Sequence, residues 1–164
     1  MVKRMSRLKV TIIVILDIIL QSTVFSRFNI DGISINLSIP VIISLASSTS
    51  KTKVSYIALV IDLIEDIMFS NIIGIRALVY FLMAFFIADF TKSQKYNRFF
   101  GVILTLILTY ITYLFISLIF ILFNNNLDLL NYLKGPIFVE MLLNSIIFIF
   151  VNFIFKKLSK GRRY

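Results

Sequence analysis

The chain reads as an all-α integral membrane protein with six transmembrane helices, and three observations lead there. Hydrophobic residues make up 59% of the 164 positions and charged residues only 15%, with a mean hydropathy of +0.97. A soluble core needs a polar shell that so few charges cannot supply, whereas lipid can face Ile, Leu and Phe directly. Six apolar stretches approach the roughly 17 to 25 residues that a helix needs to cross the hydrocarbon core. Once six spans are assumed, the 17 Lys and Arg fall almost wholly on one side of the membrane.

The first span, 10–25, follows a basic start and runs through Asp17 and Gln21 into "STVF". No small-x-small cleavage pattern interrupts it, so an uncleaved helix rather than a signal peptide is expected. The second, 35–48, is short and carries Pro40 near its start, where a missing N–H costs little. The third, 54–69, and the fourth, 72–88, are separated only by "SNI". The fifth runs over 99–123, and the sixth, 136–155, opens on Pro136, a residue suited to a first helical position. Residues 1–164 form a single membrane domain with no repeat of useful length.

Orientation follows from where the basic residues lie. One side receives the N-terminal Lys3, Arg4, Arg7 and Lys9, the loop pairs Lys51 and Lys53, the loop residues Lys92, Lys95 and Arg98, and the C-terminal Lys156, Lys157, Lys160, Arg162 and Arg163. The other receives Arg27, Arg76 and Lys134. Both termini are therefore expected in the cytoplasm. This patterning in short blocks beside apolar runs accounts for the net charge of +9 without nucleic acid. There is no Cys and no His, which removes disulfides, thiol nucleophiles, the commonest metal ligand and the neutral-pH proton shuttle. No phosphate loop, nucleophile elbow or metal-ligand spacing occurs either, so neither an enzyme, a metal nor a cofactor is expected.

An ionisable side chain in the middle of a membrane helix costs about 2.5 to 3.5 kcal/mol on insertion scales and should face the bundle interior. Helical spacing groups the candidates: Asp17 with Gln21 on the first span, Asp62, Glu65 and Asp66 on the third, and Glu140, Asn144 and Asn152 on the sixth. On the fifth, Gly101, Thr105, Thr109 and Thr112 form a small-residue stripe suited to close helix packing. Asp66 lies at the end of the third span that meets Arg76, so an ion pair across the tight turn is expected. The favoured reading is that these groups hydrogen-bond one another, fix helix packing and support assembly with partners. The alternative is a proton or cation pathway or a polar ligand pocket.

Three segments carry a family pattern: "LDIILQSTVF", "GISINLSIPVIISLA" and "LIEDIMFSNIIGIRALVYFL". In order and spacing they resemble MreD, the small membrane subunit of the bacterial rod-shape system. The matching residues are Leu20 and Gln21, then Gly32, Asn36 and Leu37, then Asp66, Gly74, Ala77 and Leu78. The likeness covers about the first ninety residues. Ile35, Ser70 and Arg76 depart from the usual pattern, and Asp62 and Glu65 add to its single Asp. The resemblance implies a non-enzymatic scaffold of the bacterial inner membrane that binds MreC and works with MreB, RodA and the elongation transpeptidase in lateral peptidoglycan synthesis and cell-shape maintenance. It also implies partner-binding or packing roles for Gln21, Asn36, Asp66 and Gly74. The layout is similar as well to the substrate-binding subunit fold of ECF vitamin transporters, which supplies a rival expectation. Against that rival, the first span contains no Ala for the usual small-residue coupling stripe.

Overall fold

The computed structural model describes residues 5–27, 35–70, 73–93, 97–124 and 135–160. Among these residues there are six α-helices and no strands. They are α1 (Arg7–Thr23), α2 (Ser38–Ala46), α3 (Lys51–Phe69), α4 (Ile75–Ser93), α5 (Arg98–Asn124) and α6 (Pro136–Lys160), with a 3-10 turn at Phe25–Arg27 closing α1. Among the described residues, three segments are long and apolar enough to cross a membrane: Arg7–Arg27, Arg98–Ile119 and Pro136–Lys157. The helices α3 and α4, at 19 residues each, have the length but also carry charges along it.

The polarity is inverted relative to a soluble protein. Large apolar side chains are exposed around the outside, among them Ile12 and Ile15 on α1, Phe86 and Phe90 on α4, and Phe150 and Phe153 on α6. Acids lie within: Asp17, Asp62, Glu65, Asp66 and Glu140 are all buried. So broad an apolar surface around a charged interior is stable in lipid and not in water.

Consecutive long helices pair as antiparallel hairpins. The α3–α4 hairpin is the most extensive contact in the molecule. It is closed at one end by Asp66 beside Arg76 and at the other by an ion pair between Lys51 and Asp89, with Tyr56 edge-on to Phe81 between them. The Lys51 ammonium also lies 3.5 Å over the Phe85 ring. The hairpin of α5 and α6 is joined by Tyr113 to Glu140 and by Thr109 to Asn144.

The second helix departs most from expectation. Its apolar run, 35–48, folds as a nine-residue helix, Ser38–Ala46, every residue of which is buried. At 1.5 Å per residue it is about 14 Å long, less than half the hydrocarbon thickness. It packs against all five other helices and so forms the axis of the bundle. Its side chains Ile39, Val41, Ile42, Ile43 and Leu45 supply much of the apolar core, with Val54, Tyr80, Ala84 and Phe148 around them.

Candidate functional site

A short helix that begins inside a bundle leaves its first N–H groups and the preceding backbone without water, so other groups must pair with them. Side chains from four helices and the approach to α2 meet there. Gln21 Nε2, on α1, donates to the Ile35 carbonyl at 3.0 Å, and its Oε1 accepts the Leu37 N–H at 2.9 Å. Asn144 Oδ1, on α6, accepts the Asn36 N–H at 3.0 Å. Asn36 Oδ1 accepts the Ser38 N–H at 3.1 Å and the Ile39 N–H at 3.4 Å, a cap on the first turn of α2. Its Nδ2 donates to Tyr80 Oη on α4 at 2.6 Å.

The same helix end explains part of the acidic cluster. Ser38 Oγ lies 2.6 Å from Glu65 Oε1 and 3.3 Å from Asp17 Oδ2, so both carboxyl groups stand at the electropositive end of α2. One hydroxyl hydrogen serves only one of them at a time. Arg76 supplies a full charge from α4: its Nη2 is 3.1 Å from Glu65 Oε2 and 4.0 Å from Asp62 Oδ1, and its Nε is 3.8 Å from Asp66 Oδ1. The expected pair of Arg76 with Asp66 is present, but Glu65 is the nearer partner. Neither carboxyl oxygen of Asp62 receives a hydrogen bond from a described residue, and Asp17 Oδ1 also lacks one.

Asp66 has a separate task. Its Oδ2 accepts the Gly74 N–H at 2.9 Å and the Ala77 N–H at 3.4 Å, capping α4, and its Oδ1 accepts from Ser70 Oγ at 2.9 Å. Gly74 has φ +97°, a conformation in which a side chain is strained. A Cβ there would meet nothing within 4 Å, so the backbone angle and not crowding calls for glycine.

On the far side, Tyr113 Oη of α5 donates to Glu140 Oε1 at 2.6 Å, and Asn144 Nδ2 donates to Thr109 Oγ1 at 3.4 Å. Thr105 and Thr109 return their hydroxyls to the carbonyls four residues back, at 2.8 Å each, and with Gly101 and Thr112 face the interior. Asn152, two turns beyond Asn144, is buried with its Nδ2 unpaired by the described residues. A cavity of about 160 Å³ opens beside Arg76, Glu65, Gln21, Asn36 and Tyr113.

The structure thus brings Asp17, Gln21, Asn36, Asp62, Arg76 and Asn144 around one helix end, with Glu140 linked through Tyr113. Asp66 and Gly74 shape the neighbouring turn. Of the other residues of the family pattern, Leu20 and Leu78 are exposed on the outside of the bundle, and Gly32 lies outside the described residues, as does Ile72 at the expected start of the fourth span. Sequence reasoning passed over Ser38, Tyr80 and Tyr113. A signal existed for the tyrosines: Tyr80 lies four residues after Arg76, and Tyr113 continues the four-residue step of Thr105 and Thr109. Ser38 had none beyond being polar in an apolar run.

Fold and site together define a membrane-embedded, all-helical protein whose interior is braced by polar side chains directed at backbone groups. More particularly, the chain belongs to the MreD family: the model of the rod shape-determining protein MreD matches residues 3–162, nearly the whole chain. Family membership makes it a rod-shape-determining membrane protein of a structural, shape-determining class. No curated protein and no solved structure shows a significant match.

Proposed function

We propose that the protein is a non-enzymatic scaffold of the rod-shape complex, holding MreC directly and standing with MreB, RodA and the elongation transpeptidase during lateral wall synthesis. The observation that carries this reading is the use made of the polar side chains. Gln21, Asn36, Asp66 and Asn144 hydrogen-bond backbone groups in the first turns of α2 and α4 and in the residues leading into them, which makes a rigid body suited to presenting a surface to a partner. The family match over residues 3–162 supports the same complex. The rival reading, a vitamin-transporter substrate subunit, has no specific observation in its favour.

The scaffold would cross the inner membrane six times, α2 with the residues leading into it counting as the second passage, and keep both termini in the cytoplasm. Arg76 pairs with α3 acids rather than standing in a loop, so the six-span reading would assign only Arg27 and Lys134 to the outer side as loop basic residues. That sharpens the charge asymmetry on which the topology rests.

Affinity purification of the tagged chain from native membranes tests the function. An MreC-like single-pass protein should be recovered. Recovery of a transporter's energising subunits without it would refute the scaffold. Reporter fusions test the topology: both termini should report the cytoplasm, and an external signal from either would overturn the six-span arrangement.

A further inference from the structure

A second cavity lies away from the polar network, at the end of the bundle where α1 begins and α2 passes into α3. Its volume is about 440 Å³, within the range of small-molecule sites. Arg7 and Lys53 stand on its lining, both side chains are exposed, and neither pairs with a carboxylate among the described residues. No Asp or Glu lines it among the described residues. Hydroxyls of Thr11, Ser48, Thr49 and Ser50 add to its polar lining, and Thr49 Oγ1 has no hydrogen-bond partner among the described residues.

Two further features favour an anion. The helices α1 and α3 both start at this cavity, behind Ser6 and Ser50, and neither serine side chain caps its helix. Neither first turn contains an acid, so the electropositive ends of a 17-residue and a 19-residue helix add to Arg7 and Lys53. The remaining wall is apolar, with Val10, Tyr56 and Ile57. Beyond it along the same two helices lie the exposed Ile15, Val60 and Leu63, a surface suited to an acyl chain.

We propose that this cavity binds the phosphate head group of an anionic phospholipid, with Arg7 and Lys53 pairing to the phosphate oxygens, Thr49 donating to the head group and one acyl chain lying between α1 and α3. The proposal is independent of any partnership with MreC. The shared chemistry is a phosphate ester, so the lipid must be separated from a soluble phosphate.

The test is thermal unfolding of the full chain, purified and delipidated in neutral detergent, with added phosphatidylglycerol, phosphatidylcholine or free glycerol 3-phosphate. Saturating phosphatidylglycerol should raise the Tm by about 5 °C, with little change from the other two. The Arg7→Gln/Lys53→Gln variant should lose that rise, whereas Lys156→Gln/Lys157→Gln, the same loss of charge elsewhere, should keep it. Equal shifts with phosphatidylcholine would overturn the site, and so would an undiminished shift in the Arg7/Lys53 variant. An equal shift with glycerol 3-phosphate would overturn the lipid as its ligand. If the Arg7/Lys53 variant does not fold, photolabelling of the unaltered chain with a head-group diazirine phosphatidylglycerol decides. Label within residues 5–11 and 48–57 supports the site, and label confined elsewhere refutes it.

Discussion

Asp66 joins two helices through hydrogen bonds that ask for an acceptor more than for a charge. Its Oδ2 faces the N–H groups of Gly74 and Ala77, and its Oδ1 faces Ser70 Oγ, while the nearest Arg76 nitrogen is 3.8 Å away. An Asn at this position keeps one carbonyl oxygen for the two N–H groups, and its amide can donate to Ser70, whose hydroxyl also accepts. A Leu leaves the buried Ala77 N–H and the part-buried Gly74 N–H without this acceptor, at up to about 1 to 3 kcal/mol each. We therefore expect Asp66→Asn to melt close to the unaltered chain and Asp66→Leu to lose about 2 to 5 kcal/mol, read by thermal unfolding in detergent. Equal losses in the two variants would make the charge facing Arg76 the decisive feature. Asp66 and Gly74 were legible through the family resemblance, whose pattern sets a Gly eight residues after an Asp; residue spacing alone did not separate Asp66 from Asp62 and Glu65. The ranking of Arg76's partners was not legible, because Asp62, Glu65 and Asp66 share one helix face, and only the depth at which Arg76 enters puts Glu65 nearest at 3.1 Å.

At the scale of an element, α2 shows where reading the sequence reaches its limit. Hydropathy marks 35–48 as apolar but carries no information on where the helix inside that run starts. The start at Ser38 is fixed by Gln21, Asn36 and Asn144, and the last of these is 108 positions away from the residue it holds. The long helices α1, α5 and α6 could be anticipated because their signal is local, in apolar runs bounded by basic or Pro residues. The cap of α2 is made across the bundle, so it was visible only as a set of unexplained polar residues. Gln21 gives this a test, because its amide must both donate to Ile35 and accept from Leu37. A carboxylate of the same shape cannot donate, and it sets two acceptors against each other. Gln21→Glu should therefore destabilise by roughly 1 to 3 kcal/mol despite its size, with faster hydrogen exchange over residues 35–39 and little change in α5. Unchanged exchange in that segment would show that α2 is seated by its apolar packing alone.

For the whole molecule the question is how a bundle tolerates Asp17, Asp62, Glu65 and Asp66 near one another. Asp66 has the N-terminal end of α4, Asp17 and Glu65 share the N-terminal end of α2, and Arg76 faces the three acids of α3. Arg76 is thus the point on which the balance of the interior turns; removing one partner of a fully buried ion pair typically costs about 3 to 5 kcal/mol, and the 23% exposure of the Arg76 side chain sets the cost here below that range. Arg76→Gln should accumulate poorly in membranes and elute as aggregate after extraction. Removing a charge from its nearest partner as well should restore part of the loss, because Glu65→Gln keeps an oxygen for Ser38 while relieving the uncompensated acid. The double variant Arg76→Gln/Glu65→Gln is therefore expected to be more stable than Arg76→Gln alone, with a coupling of about 0.5 to 3 kcal/mol between the sites. Size-exclusion profiles and thermal midpoints of the two single variants and the double variant measure it. Strict additivity would show that Arg76 acts through packing, or through Asp62 and Asp66, and not through its pair with Glu65.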